Sequence, residues 1–469
     1  MKKKLLVNTV IISIGKICTQ LITFLLLPLY TNLLSTEEYG IADLVTVFIM
    51  LVVPIVTLQI EQGVYRELIE VRENDSEKSK IISNTFITTF LQIVLYTIIF
   101  LVVSLFIKNE YKYFLLFNTI AYIFSSILLQ ISRGLDKNIF YSIGSFICAI
   151  STIIFNIIFL VVFKMGAYGM LIGNLLGYIS NVVFLLISLN IFKYIKIRLF
   201  NMDLIIKILK YSIPLVPNAI CWWIFSASDR MIVNAILGVS SVGILAAALK
   251  FSNLLSSMYS VFHISWVESI SLNIKKSDGK QFFNEMLNVV FFMFCSISLM
   301  MISVMPFVFS ILVDKNYYFG FYLLPISIVA SLANIMVSLV TAVYYGFKDS
   351  KSIAKTSLYA AILNVIIHFV LIKYIGLYAA PVSTLCAYLL VTIFRIIDIN
   401  KKYLKIRFDL NKISITILFY SLIILFYYLN NYYFNILSIL LSILYLYLMN
   451  NKSIFSIFEL IKKRRKQNE

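Results

Sequence analysis

Apolar runs of about 20 residues, the length that crosses a bilayer as helix, recur from one end of this chain to the other. A backbone in hydrocarbon must satisfy its hydrogen bonds internally, so such runs fold as helices that pack on one another. Only 13% of the 469 residues are charged, against roughly 25% for soluble domains. The chain reads as an all-α integral membrane protein.

Hydropathy windows place spans near 5–34, 41–60, 81–107, 113–131, 140–163, 168–190, 211–236 and 242–264. They continue near 286–312, 319–345, 356–372, 377–398, 413–430 and 433–450. With the N terminus inside, the outside loops hold only Lys108, Lys112, Lys164, Lys315 and Lys373. Most of the 40 Lys and Arg fall in the inside segments. Gaining or losing one span would reverse every later loop and erase that asymmetry. The expectation is fourteen helices with both ends cytoplasmic. Lys2, Lys3 and Lys4 precede an apolar stretch without a small-residue cleavage site, so the first run reads as a span and not a cleaved signal.

The formal charge of +18 follows from this topology and calls for no nucleic acid. The tail motif KKRRK at 462–466 reads as an anchor on anionic lipid. Segment 191–210 alternates apolar residues with Lys193, Lys196, Arg198, Lys207 and Lys210, as an interfacial amphipathic linker does. The loop 61–80 has mixed charge and reads as a short solvated helix. Cys18, Cys148, Cys221, Cys295 and Cys386 stand singly in apolar runs, without metal or disulfide spacing.

The chain also resembles itself. LLSTEEYGIADLV (33–45) lies over ILGVSSVGILAAA (236–248), matching Leu34/Leu237, Gly40/Gly243 and Ile41/Ile244. GAYGMLIGNLLGYISNVVF (166–184) lies over GLYAAPVSTLCAYLLVTIF (376–394), matching Gly166, Tyr168, Leu175, Tyr178 and Phe184 with their counterparts. The offsets, 203 and 210, are nearly equal and imply a duplicated six-helix unit. Six is even, so the two copies share one orientation and are related by a pseudo-twofold axis along the membrane normal. The expected organisation is an N-lobe over 1–190 and the linker 191–210, then a C-lobe over 211–398. Two further helices (399–450) and a basic tail (451–469) complete it. The two lobes are expected to surround a central cavity. Gly169, Gly173 and Gly177 give the small-residue spacing of a close helix contact.

Charges inside the spans are the candidate site. A charge near the bilayer centre costs at least about 2.5 kcal/mol and should face protein or water. Lys16 lies roughly 16 Å into the first span, with Gln20 and Thr23 on its face. Asn218, Trp222, Phe225 and Asp229 share one face of span 7, with Arg230 about 100° away. Lys250 shares a face of span 8 with Asn253 and Ser257. One reading pairs Asp229 with Arg230 or Lys250 and pins the two spans together. The other lets Lys16, Arg230 and Lys250 line a cleft for an anion, supported by Gln20, Asn218, Trp222, Asp229 and Asn253. Asp43 and His368, the latter with Asn364 one turn before it, are candidates for ion coupling; His263 reads as a packed or interfacial ring. Trp222 and Trp223 read as packing residues. No nucleotide-binding loop, HExxH or nucleophile–base arrangement stands out, so the expectation is no enzyme, no cofactor and no metal.

Two stretches resemble a known family. LLPLYTNLLSTEEYGIADL (26–44) is similar to the N-terminal pattern of the polysaccharide transporter family. PLVPNAICWWIFSASDRMIV with VGILAAALK (242–250) is similar to its span 7–8 signature. That family, the Wzx-type flippases, belongs to the multidrug/oligosaccharidyl-lipid/polysaccharide exporter superfamily. The resemblance implies movement of undecaprenyl-pyrophosphate-linked oligosaccharides from the inner to the outer leaflet of a bacterial inner membrane. It serves O-antigen (lipopolysaccharide), capsule or exopolysaccharide assembly. It further implies a polysaccharide polymerase and a chain-length regulator as partners, and carries Asp229, Arg230 and Lys250 over by motif position. Many members have twelve spans, whereas fourteen is typical of lipid II flippases, whose last two helices offer a groove for the lipid tail. A lipid II flippase and a drug/cation antiporter are therefore the alternatives.

Overall fold

The computed structural model describes residues 24–468, so most of the first expected span lies outside the described residues. The chain runs α1 (Leu27–Leu33), α2 (Thr36–Thr57), α3 (Ile60–Glu70), α4 (Asp75–Ser104), α5 (Lys112–Gly134) and α6 (Asn138–Ile157). It continues as α7 (Gly166–Ser188), α8 (Ile191–Tyr194), α9 (Met202–Ser212), α10 (Val216–Leu237), α11 (Val239–Asn273) and α12 (Gly279–Leu312). The last elements are α13 (Phe319–Phe347), α14 (Ser350–Ile375), α15 (Ala379–Lys402), α16 (Leu410–Leu429) and α17 (Tyr432–Asn468). Each expected span from 41–60 onward is occupied by its own helix, and no strand occurs among the described residues. Among the described residues, twelve apolar stretches are long enough to cross a membrane; one of them, Ser350–Lys402, holds both α14 and α15. Side chains such as Phe90 and Leu95 of α4, about 60% exposed, suit lipid contact.

The chain divides into two compact units, the first running to Ala246 and the second starting at Ala247. In the first, the segment carrying the N-terminal resemblance is a folding device. Ser35 caps α2 by accepting the Glu38 N–H at 3.2 Å, while Glu38 Oε2 accepts the Ser35 N–H at 2.8 Å. Tyr39 is buried and stacks on Tyr30 at 5.9 Å, and Asn156 Nδ2 donates to the Tyr30 hydroxyl at 2.6 Å. The glycines of α7 bear out their spacing. A Cβ on Gly169 would sit 3.1 Å from Phe159 Cβ, and one on Gly177 3.1 Å from the Cys148 carbonyl, so α6 and α7 touch backbone to backbone.

The 61–80 loop is not a solvated helix. Ile60, Val64 and Leu68 of α3 form one buried face at i, i+4 and i+8, against α5 and α9. A hydropathy window averages this face with the charged one opposite and hides it. Lys207 of α9 meets Glu67 of α3 at 2.5 Å, and Arg66 lies 4.4 Å over the Tyr211 ring, so the linker segment is tied to this helix.

In the second unit, Phe283, Phe292 and Phe309 of α12 and Phe321 of α13 are buried; Phe283 packs on Trp266 of α11 at 5.9 Å and Phe309 on Phe321 at 5.8 Å. The last two helices are integral to this unit. Tyr427 of α16 stacks on Phe321 at 4.4 Å and donates to its carbonyl at 2.8 Å, and Asn450 of α17 donates to Ser296 at 2.8 Å.

The units carry the same local solution at the second repeat. Gly166 opens α7 with φ +55°, and Gly376 stands at the corresponding turn before α15 with φ +57°, a region that favours glycine. Two residues on, Tyr168 packs on Tyr111 at 4.7 Å and Tyr378 on Phe319 at 5.5 Å. Tyr111 and Phe319 each stand at the N-terminal end of a helix, α5 in one unit and α13 in the other.

Candidate functional site

The first repeat is also a contact. At the Gly40 position of α2, a Cβ would strike the carbonyl of Val239; at Gly243 of α11, it would strike that of Thr36. Thr36 and Gly40 correspond to Val239 and Gly243 at the offset of 203. The contact is therefore self-reciprocal, each copy meeting the equivalent of what it presents, as at a twofold axis.

One turn beyond Gly40, Asp43 meets Arg230 of α10, Nε donating to Oδ2 at 2.6 Å. The side chains are 16% and 15% exposed. A pair so desolvated holds tightly only when its geometry is good, because removing either partner strands the other charge. Trp223 of α10 donates its indole N–H to the Val47 carbonyl of α2 at 2.7 Å, close to the ion pair, which agrees with a packing role. Thus α2 and α10 are cross-linked by one charged and one neutral hydrogen bond.

The sequence-derived candidates distribute as follows. Arg230 is brought to Asp43, a residue that the sequence suggests only as a separate coupling candidate. Asp229 lies beside them on α10, half-buried. Asn218 is exposed near the start of that helix, and Trp222 lies on the same helix. Lys250, half-buried, and Asn253, exposed, stand on the part of α11 that belongs to the second unit. Lys16 and Gln20 lie outside the described residues. His368 and Asn364 of α14 are fully buried, and the His263 ring packs on Tyr259 at 5.6 Å.

Arg395 and Glu61 are buried charges that do not figure among the expected site residues. Arg395 of α15 is 3% exposed, and four neutral groups accept its hydrogen bonds. They are the Thr356 hydroxyl at 2.9 Å, the Ser357 hydroxyl at 3.1 Å, the Ile353 carbonyl at 3.4 Å and the Thr341 hydroxyl. It lies three residues before the expected end of its span and passed for a boundary charge. The threonines donate onward to the Ser352 and Val337 carbonyls of their own helices. Removing the guanidinium therefore strands no donor. Arg395→Met is expected to leave the thermal unfolding midpoint unchanged or higher. Arg395→Ala, which opens a cavity, should cost about 2–4 kcal/mol in the same measurement. The second missed charge, Glu61, opens α3 and is 4% exposed. At the edge of an apolar window it looked like the end of a span.

The fold and the Asp43–Arg230 ion pair can now be set beside known proteins. Over 96% of this chain and 100% of the other, the fold matches the lipid II flippase MurJ in its inward closed conformation, with a TM-score of 0.71 and 17% identity. It matches an inward-facing multidrug resistance MATE transporter of the MOP superfamily with a TM-score of 0.56 and 13% identity, over 81% and 95% of the two chains. A MOP superfamily transporter from Pyrococcus furiosus, described by the reverse polarity of its binding pocket, matches at 0.53 and 14%, over 84% and 95%. No curated protein matches in sequence. The family model for polysaccharide biosynthesis proteins matches residues 5–267, more than half of the chain. The protein belongs to that family.

Proposed function

We propose that this protein is a flippase that carries undecaprenyl-pyrophosphate-linked oligosaccharide units from the inner to the outer leaflet of a bacterial inner membrane, by alternating access. Its family membership carries the reading, and the MurJ-like fold supports the lipid-linked class of substrate. A pyrophosphate and its glycan cannot cross about 30 Å of hydrocarbon unaided. Cations set in the spans offset the lost hydration of the phosphates while the prenyl tail stays in lipid. Arg230, Lys250 and Lys16 are the proposed phosphate-binding residues. In this reading Asp43 holds Arg230 until the phosphate competes for it. Both chain ends are cytoplasmic, and a polymerase and chain-length regulator receive the product.

A lipid II substrate is the second reading, favoured by the TM-score of 0.71 to MurJ. Depleting the protein in its host and profiling polyprenyl-linked intermediates by mass spectrometry separates the two. Accumulated undecaprenyl-pyrophosphate oligosaccharide is the expected result, and its mass identifies the sugar. Accumulated lipid II would replace the first reading with the second. Unchanged pools with altered drug tolerance would overturn both in favour of an antiporter.

A further inference from the structure

The joint between α2 and α3 is unusual on three counts. Leu58 and Gln59, neither of them glycine or asparagine, both adopt left-handed conformations, with φ +51° and +57°. Two such residues in succession are costly and persist only where the surroundings impose them. The joint is also held from the side, because Gln92 Nε2 of α4 donates to the Thr57 carbonyl at 3.1 Å. Finally, it is short of protons. Among the described residues, Glu61 Oε2 and Gln92 Oε1 are both buried acceptors that receive no hydrogen bond. An ionised carboxylate would add a desolvated charge to a site that already has too few donors. A protonated one gains an O–H and loses the charge.

The groups around Glu61 do not supply a counter-charge. The Thr57 hydroxyl on α2 and the residue's own N–H favour its ionised form, but burial outweighs them and pushes the carboxyl above its ordinary value. Tyr122 of α5 lies in its field, and Tyr141 and Cys148 of α6 act on the same tyrosine. The nearby cations are engaged elsewhere. Lys207 of α9 binds Glu67, Arg66 stacks on Tyr211, and Arg133 of α5 stacks on Tyr65 at 4.5 Å while donating to Gln130.

We propose that Glu61 is a proton-binding site, loaded in the conformation described and discharged when the α2–α3 joint changes shape, so that the proton is the coupling ion. The step is a simple ionisation: the carboxyl O–H breaks, the proton passes to water, and the carboxylate remains. The buried, loaded state binds more protons than the open one. It is therefore favoured at low pH and lost as pH rises through the elevated titration range of Glu61. The coupling half of this proposal rests on the flippase reading; the proton site itself does not.

The test uses the full chain in nanodiscs and in proteoliposomes. Infrared spectra of wild type at neutral pH should contain a protonated-carboxyl C=O band that Glu61→Gln, a near-isosteric change, removes. Absence of any Glu61-dependent band overturns the site, whatever the protein transports. Flipping of a dye-labelled undecaprenyl-pyrophosphate disaccharide should then vary with pH in wild type and lose that dependence in Glu61→Gln. Identical pH profiles overturn the coupling. A Glu61-dependent band with no flipping of this probe or of lipid II leaves the proton site standing and removes the flippase reading instead.

Discussion

Arg230→Gln and Asp43→Asn, each made alone, are expected to cost about 3 kcal/mol of stability and to stop the proposed flipping. The double variant should recover most of the stability and none of the flipping. The physical reason lies in the 2.6 Å contact and the roughly one-sixth exposure of both side chains. Each single change removes the opposite charge held at 2.6 Å from a desolvated group, whereas the double change leaves two neutral amides that can bond to each other. Stability would be read from thermal unfolding in nanodiscs, and flipping from accumulation of lipid-linked intermediates. A double variant that transports normally would show the pair to be only a pin between α2 and α10. The anion-binding role of Arg230 would then fall.

Gly40→Ala is expected to cost about 3 kcal/mol, as is Gly243→Ala, and the double variant distinctly less than the sum. A methyl group at either position points at backbone: Val239 O on one side, Thr36 O on the other, with Gly40 and Gly243 facing each other at 3.0 Å from Cβ to N. Backbone cannot rotate away as a side chain can, so the two helices must separate. Once the first substitution has parted them, the second meets space already opened. Chemical denaturation of the purified variants measures this directly. Strict additivity would mean that the two glycines do not share one contact.

Much of the fold was legible before any coordinates, for a reason particular to membranes. Hydrocarbon admits no unsatisfied backbone, so each apolar run had to become a helix, and the expected spans from 41–60 onward did. The spacing of Gly169, Gly173 and Gly177 announces a close helix contact, because small residues one turn apart leave a groove for a neighbour, and the structure supplies α6 as that neighbour. The repeat was legible through glycines for a similar reason. Gly166 and Gly376 are held by a backbone requirement, while the surrounding apolar residues exchange freely against lipid.

The site was less legible. The sequence offers Asp229 a partner in Arg230 or Lys250, but it gives no sign that the acid meeting Arg230 Nε lies 187 positions away on α2. Arg395 and Glu61 were missed because both stand near the ends of apolar windows, where a charge normally faces water. Only the packing of α13 and α14 around Arg395, and of α3 against its neighbours, placed them in the interior.

The sequence by itself thus determined which segments are helices, their order and the duplication, since these follow from local hydropathy and backbone demands. The tertiary structure alone decided which charges are buried and which are partnered. Burial and pairing depend on distances between segments far apart in the chain, and no local pattern encodes them.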